Sequence, residues 1–134
     1  MKIEFTVYGK PQGKARPRFT RQGNRAYTPK ETKLYEQQIA KAYRAAANGF
    51  SFGDKPVEIW ITAVFAKAKT SKKEHPTIKP DIDNIQKAVF DGLNGVAYND
   101  DKQILTAVIH KTFCKLEGEK PRVLVTIMEY KGDE

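Results

Sequence analysis

The sequence contains one cysteine, Cys114, and two histidines, His75 and His110, among 134 residues. A single cysteine excludes an internal disulfide framework, so we expect the reducing environment of the cytoplasm. The histidines are isolated and show neither H-x-H nor H-E-x-x-H spacing, which argues against a zinc site. These absences exclude disulfide scaffolds and disfavour zinc enzymes.

Long apolar runs and phosphate-binding glycine patterns are also missing. No stretch approaches the ~20 apolar residues that span a bilayer, and no N-terminal segment resembles a signal peptide. The pattern G-x-x-x-x-G-K-[ST] does not occur, so we expect no nucleotide cofactor. We therefore expect no membrane partner and no mechanism driven by nucleotide hydrolysis.

Positive charge is what the sequence has in excess. Lysine and arginine number 24 against 16 aspartates and glutamates, for a net charge of +8 and a pI near 9.5. The hydrophobic fraction of 40% is sufficient for a core, and the length predicts one domain over residues 1–134. Such charge favours nucleic acid as the partner, although charge alone also fits a basic protein at a membrane surface.

The cations gather in two segments. The first runs from Lys10 to Lys33 with a single anion, Glu31, and the second runs from Lys67 to Lys79. Either run alone is also typical of a solvated loop. Because the two runs flank an acidic segment, we interpret them as phosphate-binding, with an aromatic ring available to stack on unpaired bases. The DNA-binding candidates are Lys14, Arg16, Arg18, Phe19, Arg21, Lys72, Lys73 and Lys79.

The acidic segment, residues 79–102, gathers carboxylates within an otherwise basic protein. Its aspartates are Asp81, Asp83, Asp91, Asp100 and Asp101. Such a group repels phosphate unless a cation neutralises it, and a divalent metal held by carboxylates between basic flanks is the arrangement of a phosphodiester-cleaving site. The segment therefore indicates a metal site that acts on a nucleic-acid backbone.

The hydrophobic pattern predicts an α/β fold with the element order β-α-β-α-β-β. Alternation predicts strands over residues 2–8, 57–65, 103–113 and 122–130, and helical spacing predicts helices over 30–47 and 82–93. A turn around Gly118 joins the last two strands, which predicts a final hairpin. We expect a mixed four-stranded sheet flanked by helices.

The first two aspartates of the acidic segment can converge on one ion. Pro80 restricts the preceding residue to extended backbone, Asp81 suits the N-cap of the second helix, and Asp83 falls in its first turn. Asp83, Lys87 and Asp91 then share the helix face opposite the apolar stripe. Carboxylates from an extended residue and from a first helical turn can both reach a bound cation.

A structural alternative explains the same residues without a metal. Asp81 would serve only as a helix cap, and Asp83 and Lys87 would form an i,i+4 ion pair. Asp100 and Asp101 return just before a strand, and capping of the second helix does not require them. This third source of carboxylates favours the metal site.

Two groups of motifs occur together in one known family. They are Asp81-Ile82-Asp83-Asn84-Ile85-Gln86-Lys87 with Phe90-Asp91, Asn99-Asp100-Asp101 and Gln103, and, near the start, Gly9-Lys10-Pro11 with Ala15-Arg16-Pro17-Arg18-Phe19. With these motifs the chain resembles the RusA-type Holliday junction resolvases over essentially its full length.

The resemblance implies a Mg²⁺-dependent homodimeric endonuclease that nicks four-way DNA junctions symmetrically during recombination and repair. It implies Asp81, Asp83 and Asp101 as catalytic metal ligands and Lys87 as the essential lysine. Some members carry an arginine directly before the first aspartate, where this chain has Pro80. Any role of that arginine must pass to Lys79 or another loop cation, or be absent.

Two function classes remain open at this point. The favoured class is a metal-dependent endonuclease that acts on branched DNA, and a general flap or single-strand nuclease belongs to the same class. The alternative is a non-catalytic basic nucleic-acid-binding protein whose aspartates form caps and ion pairs. The role of Lys87 is also open, since it could hold a phosphate oxygen, orient the water or neutralise the leaving oxygen.

Overall fold

The computed structural model describes residues 1–15, 18–20, 23, 26–27 and 29–132, except for the side chains of Arg18 and Tyr27. The predicted DNA contacts of Arg16 and Arg21, and that of the Arg18 side chain, lie outside the described residues. In chain order the elements are β1 (Lys2–Tyr8), β2 (Arg18–Phe19), β3 (Ala26–Tyr27), α1 (Lys30–Ala47), β4 (Val57–Phe65), α2 (Ile82–Leu93), β5 (Ile104–Phe113) and β6 (Arg122–Glu129).

Four of these strands form the main sheet, in the spatial order β1-β6-β4-β5. β4 runs parallel to β5 and antiparallel to β6, which in turn runs antiparallel to β1. The predicted mixed four-stranded sheet and the order of its helices and strands are therefore confirmed. β2 and β3 form a separate two-stranded antiparallel pair within the first basic segment, where the sequence predicted only a loop.

The final hairpin was predicted wrongly. β4 lies between β5 and β6 and hydrogen-bonds to both. The connection around Gly118 therefore crosses over β4 instead of joining neighbouring strands. A turn residue between two alternating segments identifies two strands but not their pairing. The last residues of β4, Ala63 to Phe65, are apolar on both faces of the sheet and are buried, which suits an interior strand.

The limits of the elements follow the sequence closely. Both helices begin and end at the predicted residues. β5 begins one residue later than predicted because Asp101–Gln103 form a 3₁₀ turn, and β6 ends one residue earlier. In the described ranges, no helix is both long enough and apolar enough to cross a membrane.

The hydrophobic core lies between the sheet and the two helices. Ile59 of β4 and Ile127 of β6 are fully buried in one cluster with Ile39 of α1 and Val89 of α2. Strand side chains that alternate with the buried ones point away from this cluster. This second face of the sheet carries exposed apolar side chains, which are Tyr8, Trp60, Val108 and Leu124.

The two helices approach each other closely at Gly92 of α2. A Cβ atom added there would lie 2.9 Å from the side chain of Ile39 and 3.2 Å from the carbonyl oxygen of Glu36. Any larger residue would therefore push α1 and α2 apart. Because Asp91 directly precedes Gly92, this contact also brings the polar edge of α1 next to Asp91.

Candidate active site

Asp81 occupies the N-cap position of α2 in the extended conformation that the sequence predicts, after a cis peptide bond between Lys79 and Pro80. Its carboxylate accepts no capping hydrogen bond from the helix backbone. Its Oδ1 accepts instead a 2.7 Å hydrogen bond from the side-chain amide of Asn84. The carboxylate is thus oriented by Asn84 and exposed at the start of the helix, where the helix dipole favours negative charge.

Asp83 and Lys87 lie on the exposed side of α2. In the described part of the chain they form no ion pair with each other, so the i,i+4 pair of the structural alternative is not made. Both side chains line an open groove at the start of α2. The residues that line this groove are Lys14, Ala15, Asp81, Asp83, Asn84, Lys87 and Asp91.

Lys14, one of the predicted DNA-binding cations, is held inside the wall of this groove. Its Nζ donates to Oε2 of Glu36 at 2.6 Å and lies 3.0 Å from Oδ2 of Asp91. Burial opposes the charge of Lys14, but the hydrogen bonds and charges of the two carboxylates outweigh it and raise the pKa of the ammonium group above its ordinary value. Its main-chain N–H also donates to the carbonyl oxygen of Asn84 at 2.9 Å.

Asp100 has a structural role at the start of β5. Its carboxylate accepts the N–H of Lys102 at 2.9 Å, and the side chain of Gln103 accepts the N–H of Asp100 at 2.9 Å. These bonds form a capping box around the 3₁₀ turn. Gln103 also donates to the carbonyl oxygen of Gly53 at 2.8 Å, which anchors the turn. The turn therefore holds Asp101 in a fixed position.

Within the described residues, Asp101 interacts with other carboxylates and not with a cation. Burial, a hydrogen bond with Asp100 and the negative charges of Asp100 and Asp91 raise the pKa of Asp101 above its ordinary value. Burial, together with the charges of the same three aspartates, also raises the pKa of Tyr98. Negative charge around Asp101 is therefore incompletely compensated, and a bound cation would relieve it.

The structure brings the three predicted metal ligands only partly together. Asp81 and Asp83 line one groove, whereas Asp101 does not line it. Asp101 lies close enough to Asp91 of the groove for the charge of Asp91 to raise its pKa. Within the described ranges, no group of three or more histidines, cysteines, aspartates or glutamates is arranged to hold a metal ion. The donor chemistry nevertheless fits Mg²⁺, which prefers oxygen ligands, retains several waters and takes one or two protein carboxylates.

Comparison with known proteins identifies the family. The family described as "Endodeoxyribonuclease RusA" matches residues 8–128, a range that contains both helices and all three predicted metal ligands.

The chain belongs to the RusA family.

The resemblance found in the sequence is thereby confirmed, and RusA membership implies endodeoxyribonuclease activity. A protein of Bacillus subtilis (strain 168), described as "Uncharacterized protein YqaN", is 30% identical over 140 residues, which cover 95% of this chain and 96% of the relative.

In this RusA-family protein, the predicted DNA-binding residues of the described ranges differ in how they are held. Lys79 borders Asp81 together with Lys10, a cation that was not among the candidates. Lys73 donates to the carbonyl and hydroxyl oxygens of Thr77 at 3.1 and 3.3 Å, whereas Lys72 is exposed. Phe19 lies on β2 with 65% of its surface exposed.

Two residues near the RusA groove were missed by sequence reasoning. Glu36 binds Lys14, as described above. Lys111 of β5 donates to the carbonyl oxygen of Ile78, and its Nζ lies 5.4 Å from the ring centre of Phe65. Lys111 therefore attaches the second basic segment to the sheet. No local pattern indicates either role, because each partner comes from a distant part of the chain.

Proposed function

We propose that this protein is a Mg²⁺-dependent, structure-selective endodeoxyribonuclease that resolves Holliday junctions by symmetric nicking in DNA recombination and repair. Membership of the RusA family supports the nuclease activity. The observation that carries the proposal is the groove, where Asp81, Asp83 and Lys87 lie side by side. Neither of the structural uses considered for them, a backbone N–H capping bond accepted by Asp81 or an Asp83–Lys87 ion pair, is made among the described residues.

Asp81, Asp83 and Asp101 are the residues that would hold the metal ion. When bound, Mg²⁺ would supply a more nucleophilic water and stabilise negative charge at the phosphate. Asn84 orients the Asp81 carboxylate by donating a hydrogen bond to it. Residues that hydrogen-bond to a metal ligand commonly orient it in this way. The capping box of Asp100 and Gln103 fixes the turn that carries Asp101.

Lys87 would act on the scissile phosphate. It lies one helical turn after Asp83 and lines the same groove. Its ammonium group could hold a phosphate oxygen, orient the attacking water or stabilise the leaving oxygen. All three roles require positive charge beside the phosphate, so all three predict loss of cleavage when that charge is removed.

Branched DNA would contact the cations around the groove. Lys10 and Lys79 border Asp81, and the exposed ring of Phe19 is available to stack on an unpaired base. The further proposed phosphate contacts are Arg16, Arg18, Arg21, Lys72 and Lys73. Phosphate contacts of this kind position the protein but do not read sequence.

We propose that the protein acts as a homodimer. One groove nicks one strand, whereas resolution requires two nicks placed symmetrically about the crossover, so two copies related by a two-fold axis are needed. The exposed apolar side chains on the uncovered sheet face, Tyr8, Trp60, Val108 and Leu124, favour self-association through that face. The single cysteine fits the cytoplasm as the compartment.

A fluorescent four-way junction tests the proposed activity. We expect nicking in Mg²⁺, no nicking in EDTA, and slower cleavage of flap, single-stranded and duplex competitors. Equal cleavage of the competitors would favour a general nuclease over a junction resolvase. Tight junction binding without nicking in either Mg²⁺ or Mn²⁺ would favour the non-catalytic nucleic-acid-binding alternative.

A further inference from the structure

One lysine connects three separate parts of the chain beside the groove. Lys14 belongs to the first loop, which we define as residues 9–15. Its ammonium group binds Glu36 of α1 and Asp91 of α2, at 2.6 and 3.0 Å. Its main-chain N–H binds the carbonyl oxygen of Asn84, in the first turn of α2, at 2.9 Å. Only 21% of the Lys14 side chain is exposed, so little of it remains for a phosphate contact.

Two glycines allow these parts to come together. A Cβ atom added at Gly13 would lie 2.8 Å from the Cβ of Pro80 and 2.9 Å from the Cβ of Asn84. A Cβ atom added at Gly92 would collide in the same way with Ile39. Gly13 therefore lets the first loop lie against the start of α2, and Gly92 lets α1 lie against α2. Lys14 forms its ion pairs where both close contacts meet.

The ion pairs also determine what Asp91 can do. Asp91 lines the groove with Asp83 and contributes to the negative charge around Asp101. A carboxylate in this position would compete for a bound cation. The ammonium group of Lys14 neutralises it at 3.0 Å, and the pair is only partly exposed, so solvent screens this attraction less than it would a surface pair.

We propose that Lys14 is a positioning residue of the nuclease. Through Glu36 and Asp91 it holds the first loop against the start of α2 and keeps Asp91 out of the set of metal ligands. This inference rests on the proposed function, and it replaces the expectation that Lys14 contacts DNA. The role is distinct from that of Lys87, which reaches the phosphate itself.

Lys14→Met removes the charge and keeps an unbranched side chain. We expect its single-turnover nicking rate to fall on the order of 10- to 100-fold, the size typical of a misplaced active-site element. Junction affinity and its dependence on salt should stay at wild-type values, because no phosphate contact is lost. Lys14→Arg should keep part of the wild-type rate that Lys14→Met loses. Glu36→Gln should also lower the rate, and the double variant Lys14→Met/Glu36→Gln should be little slower than Lys14→Met alone.

Lys41→Met is the matched control, since it removes one exposed lysine from α1 that does not line the groove. It should nick at the wild-type rate. If Lys14→Met folds poorly, Lys14→Arg and Glu36→Gln carry the comparison. A fall in affinity with a salt slope reduced by about one unit, at an unchanged cleavage rate of bound junction, would show that Lys14 is a DNA contact and overturn the inference.

Amide hydrogen exchange supplies a readout that needs no nuclease activity. We expect Lys14→Met to accelerate exchange of the main-chain amide at position 14 at least about 10-fold relative to amides of β4, because the loop opens locally. An unchanged exchange rate would show that the Lys14 ion pairs do not hold the first loop against α2, and would overturn the inference. The wild-type protein could nick no DNA while Lys14→Met still accelerates exchange at position 14. In that case the proposed function fails, and the Lys14 ion pairs hold the first loop without a catalytic role.

Discussion

Asp83 and Lys87 lie four residues apart on α2, where an ion pair would stabilise the helix by a few tenths of a kcal/mol. The described chain forms no such pair, and the capping position of Asp81 makes no capping bond. Asp101 is placed among other negative charges. At the scale of single residues, the protein therefore forgoes small gains in stability at each of the positions to which we assign catalysis.

The aspartates are expected to be essential for cleavage and dispensable for binding. Asp81→Asn, Asp83→Asn and Asp101→Asn should each abolish nicking of a four-way junction. Each change removes negative charge that otherwise repels phosphate, so junction binding without metal should persist or tighten. Gel-shift affinity and cleavage are measured on the same preparations. Cleavage near the wild-type rate by the Asp83 or Asp101 variant would remove that residue from the metal site.

Lys87 is expected to affect rate far more than stability. Lys87→Ala should lower the single-turnover cleavage rate on the order of 100-fold or more. Its melting temperature should stay close to that of the wild-type protein, because Lys87 forms no ion pair with any of the described residues that the substitution could break. The two measurements are compared directly. A small loss of rate that parallels a loss of melting temperature would show that Lys87 is structural.

For the secondary structure, local signals in the sequence predicted where helices and strands begin and end. They did not predict which strands pair with each other. The ends of α1 and α2 depend on adjacent breakers, Pro29 before α1 and Asn94-Gly95 after α2, and those are visible in the sequence. The insertion of β4 between β5 and β6 depends on sheet-wide packing, which no turn residue encodes. The order of the elements could therefore be predicted, but not the neighbours of each strand.

The same division holds for the candidate site. The convergence of Asp81, Asp83 and Lys87 on one groove follows from their spacing around a helix start, and the structure places all three there. The contact of Lys14 with Glu36 and Asp91 joins a loop to two helices. It depends on how α1 packs on α2, so no local pattern in the sequence separates Lys14 from the other cations.

The stability contributed by the connection between β5 and β6 should depend on pH through the carboxylate of Glu119. Its carboxylate accepts the N–H groups of Leu116 and Lys115 at 3.0 and 2.7 Å and binds Arg122 at 3.0 Å. These bonds, that of Leu116 first, lower the pKa of Glu119 from its ordinary value of 4.5. A lowered pKa gives stability that is complete above the ordinary value and is lost as pH falls through the folded-state value.

Glu119→Gln is therefore expected to lower the melting temperature at pH 7, and the difference from wild type should narrow once the pH falls below 4.5. Thermal melts between pH 7 and pH 3 measure this difference. Glu117→Gln is the control, since its side chain is exposed in the same connection and it should melt as the wild type does. A difference that stays constant to pH 3 would show that the shape of Glu119, and not its charge, stabilises the connection.

The first basic segment is expected to supply phosphate contacts. Replacing Arg16, Arg18 and Arg21 together by glutamine should weaken junction binding. The slope of log K against log salt should fall by about one unit per lost contact. A triple glutamine variant of Lys41, Lys115 and Lys131, exposed lysines that do not line the groove, controls for net charge. An unchanged slope would show that the segment is merely solvated.

Across the protein as a whole, the net charge of +8 favours binding to DNA, and we propose that cleavage takes place at the acidic groove. The helices cover one sheet face, and the other face carries exposed apolar side chains, among them Trp60 and Leu124. A two-fold pairing through this face would bury them and place two grooves on one particle. Under this proposal, each copy carries one active site and one surface for a second copy.

Mixed dimers test the need for two copies. We expect wild-type protein to be a dimer at micromolar concentration by light scattering. Dimers with one wild-type subunit and one Asp83→Asn subunit should nick one strand of a junction without resolving it. Trp60→Glu, on the uncovered face, should shift the protein towards monomer and reduce paired nicking. A monomer, both free and on DNA, that resolves junctions symmetrically would contradict the proposed assembly.

We propose that the groove of Asp81, Asp83 and Lys87 cleaves the DNA of a four-way junction with a divalent metal. Strand-by-strand mapping of nicks in a junction labelled on each strand in turn tests this proposal. We expect wild-type protein with Mg²⁺ to nick two strands of like polarity at symmetric positions, and to nick none in EDTA. Asp83→Asn should bind the junction and leave all four strands intact. Symmetric nicking by Asp83→Asn, or by the wild type without any divalent ion, would contradict the claim.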